Sequence, residues 1–587
     1  MTSLQLNLST RSAAADKAPD LRPKVLKAWL GELPMGHAIQ AGQQILERLR
    51  EINRSFVSAA ARHAALELLH PSVHKLCATL QRSHRDASFP LPAGHCLMTT
   101  LCQQLLEEMA NGYKQVITDR LLDDAVTASL EALTQAYVDK ILLLSLWRAV
   151  NYLSAQLLEC YLIYAPDPEG AWQDLHRLYR FAEQHLLHIY AVDVAADDPP
   201  DPVTLVECYK RILLLSLCNP YHLMADEVGT LFHQLADWSA VVKLTRVSGH
   251  QPLTGSFVVD LDADAPPRYA PPSKPMAAPE QGRLIDVSAL LQRLDEHVQQ
   301  LRTTLKDKQI RHQPCVTERR DYNLYARLKH SWEMRQDRRF ARNAQPNNIT
   351  MAAGLSACHH FISAMAPFTP EEDELALRDF GAADDDDSPA PRPPAARPAQ
   401  SDGDVWERVY AKAPEPTAQR PSASREPHSR ETVQYPTNPW QQRNAGGGGL
   451  AVFCVNDCRA SVRVGELVTY KSNPTVSSEL WHVGVIRWLR TPDFASVELG
   501  IMALPEQARA VATRALRGTG SGGDYARSLL VSHIDKAQVV DALITPPTIY
   551  DEGTLLLVNL GDRMLRVKLV ELVEATRTFA RFHFTAT

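Results

Sequence analysis

The stretch WHVGVIRWLRTPDFASVELGI, Trp481–Ile501, decides how this 587-residue chain is read. Along Val483-Gly484-Val485-Ile486-Arg487-Trp488-Leu489, and again over Ala495–Met502, the pattern has the period of two that half-buried strands require. Ser461–Val464 and Leu467–Tyr470 repeat it just upstream, with turn residues between. Strands this short and this close predict a small antiparallel barrel. Further on, Ala526–Phe584 is again β-rich, with Thr554–Val558 and Arg566–Leu572 around a Gly561-Asp562 turn. Residues 525–587 therefore read as a C-terminal β extension, which is either an extra barrel or a continuation of the first.

Toward the N-terminus the period changes. From Leu21 to Leu244 apolar residues recur at spacings of three and four, as in Ile45-Leu46-Leu49-Ile52 and Leu101-Leu105-Leu106-Met109. An all-α region over 21–246 follows, behind a disordered tail at 1–20. Prolines at His70-Pro71, Phe89–Pro92, Ala165–Pro168 and Asp198–Pro200 push the preceding residue out of the helical basin and are expected to cut this region into about eight to ten helices. The hexapeptide ILLLSL occurs at Ile141–Leu146 and Ile212–Leu217. It is read either as two stacked helical hairpins of a solenoid or as two buried leucine-rich helices that happen to share a sequence.

Residues 247–331 link the two halves: a short strand around Phe257–Leu261, a proline-rich link, and a helix over Arg283–Leu305 with Leu284, Val287, Leu290, Leu291, Leu294 and Val298 on one stripe. Pro389–Pro439 holds 11 prolines in 51 residues and few large aliphatics, and Glu371–Asp387 before it has nine acidic residues to one basic. The insert 368–437 is accordingly expected to be disordered. The fold class is multidomain α + β: a helical region, a barrel built from 332–367 plus 438–520, and a β-rich extension.

Charge and composition exclude several functions. With 62 Lys and Arg against 68 Asp and Glu the chain has no basic excess, so no DNA or RNA partner is expected and a phosphate ligand needs a local site. Ten scattered cysteines without a CxxC pair fit a reduced, cytoplasmic protein. No secretory signal and no membrane span are expected, since Ile141–Leu146 is soon interrupted by Arg148 and Asn151. HExxH, GxSxG and GxxxxGK[ST] do not occur, His359-His360 reads as a surface or core feature and Cys454-x3-Cys458 as residues that pack or face solvent, so neither an enzyme nor a metal site is expected.

Two features remain. Met334–Asn343 carries Arg335, Arg338, Arg339 and Arg342 on the approach to a strand at Asn348–Ala352. A guanidinium offers a planar fork to phosphate or to a guanine edge and a flat face to a base, although an arginine run is also what a solvated face looks like. Arg443-Asn444-Ala445-Gly446-Gly447-Gly448-Gly449 precedes the next strand. Its glycines permit close backbone approach to a ligand and Asn444 can donate and accept, although four glycines can also be the slack end of a linker.

Together these features resemble the PilZ family of cyclic di-GMP receptors, whose pattern is RxxxR before a barrel and [D/N]xSxxG on a nearby strand. Arg338–Arg342 matches the first half, Arg335–Arg339 has the same spacing, and Asn444–Gly449 matches the second with Gly446 where the family has serine. The VGEL, VGVIRW and VELGI strands resemble the family's barrel in order. The resemblance implies that Arg338 and Arg342 contact guanine and phosphate, that Asn444 hydrogen-bonds a base, and that Gly446 and Gly449 allow close approach. Arg335, Arg339 and Arg443 are second-rank. It further implies cyclic di-GMP as ligand with no cofactor, and an effector of motility, pili or biofilm formation whose helical region meets a protein partner. The alternative is a PilZ-like scaffold that acts only through protein contacts.

Overall fold

The computed structural model describes residues 4–11, 19–85, 87–123, 126, 139–193, 203–247, 252–311, 313, 315–333, 343–381, 435–455, 461–472, 480–504, 508–535 and 538–587. Its helical region runs α1 Pro23–Glu32, α2 Ala38–Arg54, α3 Ala59–His84, α4 Ala93–Arg120, α5 Lys140–Leu162, α6 Ala171–Gln184, α7 Leu205–Leu217 and α8 Ala225–Trp238. The central helix α4 packs against α2, α3 and α5 around Leu105, Met109, Tyr113 and Val116, all fully enclosed. One apolar core joins all eight helices.

Two expectations for this region are corrected, at Pro71 and at residues 4–11, and the open reading of ILLLSL is decided for two buried leucine-rich helices. Helix α3 continues through Pro71, because Leu66, Leu69, Val73, Leu76 and Leu80 form a buried stripe on both sides of it. That packing outweighs the roughly 3 kcal/mol that an interior proline costs. The two ILLLSL copies stand at opposite ends of their helices, opening α5 and closing α7, so they are not equivalent positions of a repeat. Residues 4–11, placed in a disordered tail, instead lie along the helical core, with Leu4 and Leu6 packed on it. Helix α5 is long and apolar enough to cross a membrane, yet most of it is buried inside the helical core, where Arg148 pairs with Glu67 and Glu159 faces His84.

Between the halves lies a four-stranded antiparallel sheet of order β1–β4–β2–β3, from β1 Lys243–Arg246, β2 Ser256–Asp260, β3 Arg268–Ala270 and β4 Gly282–Asp286. β4 takes the first residues of the expected helix. Asp286 accepts from the Ser288 N–H and so starts α9, Ser288–Ile310, two residues later; α10, Val316–Trp332, folds back on it.

The first barrel is closed, in the order β10–β7–β6–β5–β8–β9, from β5 Asn343–Ala353, β6 Asn438–Gly446, β7 Gly449–Val455, β8 Leu467–Ser472, β9 His482–Asp493 and β10 Ser496–Ala503. Ile349, Met351, Trp440, Val452, Ile486, Leu489, Val497, Leu499 and Ile501 fill it. It ends short of the expected boundary at 520, because Ala508–Arg517 is already β11 of a second closed barrel. That barrel is completed by β12 Ala526–Asp535, β13 Gln538–Thr545, β14 Leu555–Asn559, β15 Met564–Ala575 and β16 Ala580–Ala586. It has its own core of Leu543, Leu556, Val567, Leu569, Leu572 and Phe582.

The expected disorder at 368–437 is also corrected at its start, while the barrel resumes at the expected residue 438. Pro370–Gly381 forms α12, and the strand β6 begins at Asn438, inside the proline-rich stretch. α12 is ordered by the second barrel: Glu374 binds Arg514 at 3.0 Å and Tyr525 at 2.8 Å, and Asn559 donates to the Pro370 carbonyl. A short helix, α11 Leu355–Ile362, wedges between the barrels.

The parts interlock. Phe89 from the helical region pairs as a β-bridge with Val462, and Thr491 of β9 donates from its N–H to Tyr164 and from its hydroxyl to Ile163. Arg487 of β9 reaches Glu574 of β15 at 2.5 Å, and Thr578 donates to the Gly465 carbonyl. Helix α10 packs on β15, with Arg319 on Glu552 at 3.2 Å. Asp226, opening α8, accepts from Arg577 and Arg320.

Candidate functional site

The strand that begins right after the first half of the sequence pattern pairs with the strand that carries the second, about a hundred residues later in the chain. Asn343, the residue after Arg342, pairs with Ala445, and Ala344 pairs with Asn444. The first-rank Arg338 and Arg342, with Arg335 and Arg339, lie outside the described residues. Asn444, Gly446, Gly449 and Arg443 are described, and all four sit at one end of the β6–β7 hairpin.

The glycine run is neither the end of a linker nor slack. Gly446 pairs with Gly449, and Gly447-Gly448 is a two-residue hairpin turn between the second and third barrel strands. Gly449 has φ +147° and faces β10 so closely that a Cβ would stand 2.0 Å from the Ile501 carbonyl oxygen. Only glycine fits there, so the residue serves barrel closure.

A bulge between Gln442 and Asn444 resets the pleat of β6. Without it Arg443 and Asn444 would simply alternate; with it, Asn444 stands opposite Ala451. Ala451 pairs with Gly500, and Gly500 with Trp488. Cross-strand partners share a face, and the barrel interior is taken by the alternate residues Leu450, Val452, Leu499 and Ile501. Asn444, Ala451, Gly500 and Trp488 therefore form one row on the outer face. The row is shaped by its small members: a Cβ on Gly500 would meet Trp488 Nε1 at 1.9 Å, so the half-buried indole lies over the glycine.

Arg443, the bulged residue, is more than half exposed; it bonds Glu498 at 2.6 Å and lies 5.0 Å over the Phe453 ring. This is a cation held above an aromatic face beside the row. The Oδ1 of Asn444 is buried and, among the described residues, has no hydrogen-bond partner. A buried acceptor left unpaired costs about 1–3 kcal/mol. The row thus presents an unused acceptor, a flat indole and a guanidinium, which together suit a planar base that donates hydrogen bonds. Trp488 and Gly500 were legible as strand residues only; the signal for more was a glycine and a tryptophan in neighbouring strands whose register the sequence does not fix.

Electrostatics tie this face to the second barrel. Next to Trp488, Arg487 fills the β9 bulge and holds Glu574, where burial opposes ionisation but Arg487 and Arg581 outweigh it and keep the carboxyl below its usual range. Nearby, burial lifts Glu466 to about 7 against the pull of Arg463 and a bond with Thr578. His359 of α11 is pulled down to about 4 by burial, with Arg527 adding to it, and packs on Phe368 as a neutral ring. Cys454 is buried in the first barrel core; its sequence neighbour in the Cys pair, Cys458, lies outside the described residues. Among the described residues no cluster of His, Cys, Asp or Glu could hold a metal ion.

A β-barrel with an arginine-bearing approach to its first strand and an Asn-to-Gly hairpin beside it defines a PilZ domain, and the comparisons agree. Residues 256–510 match the middle PilZ domain of the cyclic-di-GMP receptor FimW, residues 24–250 its N-terminal domain, and residues 511–587 its C-terminal β-barrel domain. The chain is 26% identical over 579 residues to the cyclic-di-GMP receptor FimW of Pseudomonas aeruginosa, covering 96% of this chain and 90% of that protein. No solved structure matches it. The chain belongs to the PilZ-domain family of cyclic di-GMP receptors.

Proposed function

We propose that this protein is a cytoplasmic cyclic di-GMP effector in which the first barrel binds the dinucleotide and the helical region meets a protein partner. The observation that carries the reading is the register Asn343↔Ala445 and Ala344↔Asn444, which sets the chain following Arg342 beside the Asn444 acceptor, a group with no partner among the described residues. Arg338 and Arg342 would grip guanine and phosphate; Asn444 would accept from a guanine N–H. Gly446 withholds the hydroxyl that the family places there, at about 0.5–1.5 kcal/mol, or about tenfold in affinity.

Signal transfer has a short path. Helix α10 ends at Trp332, just before the arginine segment, and packs on β15. Ordering that segment around a ligand would bias the seat of α10 between the second barrel and the helical region. The output would be control of pili, motility or biofilm formation, as a receptor and not a catalyst.

The test is calorimetric titration of cyclic di-GMP into the full chain, with GTP and cyclic di-AMP as controls, and the Arg338→Ala/Arg342→Ala variant alongside. Each charged hydrogen bond contributes about 1.5–3 kcal/mol, so the double variant should lose at least about a hundredfold in affinity. No heat and no thermal shift at high micromolar ligand would leave the scaffold reading instead.

A further inference from the structure

Residues 4–11, Leu-Gln-Leu-Asn-Leu-Ser-Thr-Arg, lie extended across the helical region, where Leu6–Ser9 together with α4, α5 and α6 line a cleft of about 630 Å³ beside the strap. Contacts to the main chain of this strap hold it. Arg177 donates to the Gln5 carbonyl at 2.9 Å and Lys114 to the Asn7 carbonyl at 2.6 Å, while the Asn7 N–H donates to Asp174 at 3.0 Å. Side chains add selectivity: the Asn7 carboxamide donates to Asp174 at 3.1 Å, Gln115 donates to Ser9 at 3.2 Å, and Arg11 forks onto Asp119 at 2.8 Å. Gly170, at φ +76°, makes room for Asn7; a Cβ there would come within 2.6 Å of the carboxamide nitrogen.

Two properties separate this from ordinary packing. Gln5, Asn7, Leu8 and Thr10 are exposed, so the strap buries little apolar surface and is held mostly by polar contacts. The charges beneath it also have each other: Lys114 and Asp174 pair at 2.7 Å, both almost fully enclosed. Removal of the strap leaves that pair intact, and the groove remains formed with a carboxylate and an ammonium aimed at a peptide backbone. The vacated site is preorganised.

We infer that this groove is a peptide-recognition site, that residues 4–11 are its resident occupant, and that a partner protein presenting an extended Leu-x-Leu-Asn-x-Ser-x-Arg segment displaces them. Leucines at the first and third positions meet the apolar wall, asparagine reads Gly170 and Asp174, and arginine reads Asp119.

The experiment uses the full chain with Leu6→Glu/Asn7→Asp, which puts a charge on the apolar contact of Leu6, sets a carboxylate against Asp174 and frees the groove. A fluorescein-labelled peptide of residues 4–11 is titrated by polarisation into this variant and into the wild type, with a scrambled peptide as control. Saturable binding to the variant, at least tenfold weaker in the wild type and severalfold weaker when Gln115→Ala/Arg177→Ala is added, is the expected result. Hydrogen exchange over residues 4–11 reports release of the strap. Release without peptide binding overturns the proposal, as does a strap that stays protected in the variant. Wild-type chains that run as dimers by light scattering, and as monomers with Leu6→Glu/Asn7→Asp, also overturn it, because a second copy's strap would then be the occupant.

Discussion

The two barrels have six antiparallel strands each and differ in what covers their outer faces. The second is covered by the protein itself: α12 lies on it through Glu374, Arg514 and Tyr525, α10 packs on β15, and Arg487 and Arg319 take its carboxylates Glu574 and Glu552. These polar groups are spent on holding neighbours. The first presents the row Asn444–Ala451–Gly500–Trp488, in which an acceptor has no partner among the described residues and two small residues leave an indole lying flat. One architecture therefore supports an anchoring module and a candidate receptor, and the difference lies in unspent polar groups.

Several changes would break or sharpen that contrast. Gly449→Val should be the most damaging, about 3 kcal/mol or more, because its Cβ overlaps the Ile501 carbonyl and the positive φ is strained. Denaturant unfolding should show the first barrel lost; an unchanged midpoint would mean that the hairpin closes the barrel differently. Glu374→Ala leaves Arg514 and Tyr525 without their shared carboxylate and should cost about 2 kcal/mol, with faster proteolysis within 370–381. If α12 remains protected, apolar contacts hold it instead.

Glu466 sharpens the comparison at the seam between the barrels. Its folded pKa, about 7, lies above the ordinary 4.5, so the fold favours the protonated acid. The stability it contributes is complete below about 4.5 and is lost as pH rises through about 7. Glu466→Gln, which keeps the neutral form, should raise stability by up to about 3 kcal/mol at pH 8 and change little at pH 4.5. Melting curves at the two pH values decide it, and equal shifts would remove Glu466 as the cause. The smallest effect is expected at the row: Trp488→Leu should weaken cyclic di-GMP binding about tenfold, or about 1.4 kcal/mol, and leave the melting temperature of the free protein nearly unchanged. Unaltered affinity would put the ligand elsewhere on the barrel.

Much of the architecture was legible because it is written in periods. Alternation over Val483–Leu489 and 3.6-residue spacing over Ile45–Ile52 report which face of each element is buried, a local property. Misreadings arose where a distant surface overrides the local signal. Pro71 looks like a stop until the stripe on both sides of it is packed. Pro370–Gly381 looks like an unstructured acidic run until Arg514 and Tyr525 receive Glu374. Residues 4–11 look like a tail until Lys114 and Asp174 hold their backbone.

For the candidate site the division is similar. The sequence by itself determined the residue types and their order: arginines before a strand, then Asn444 and a run of glycines, then the VGVIRW and VELGI strands. Tertiary structure alone decided the pairing of Ala344 with Asn444 across a hundred-residue separation, the bulge that sets Asn444 opposite Ala451, and the indole over Gly500. The physical reason is that a strand's composition fixes its faces, whereas register and bulges are fixed only when the barrel closes and every backbone group must find a partner.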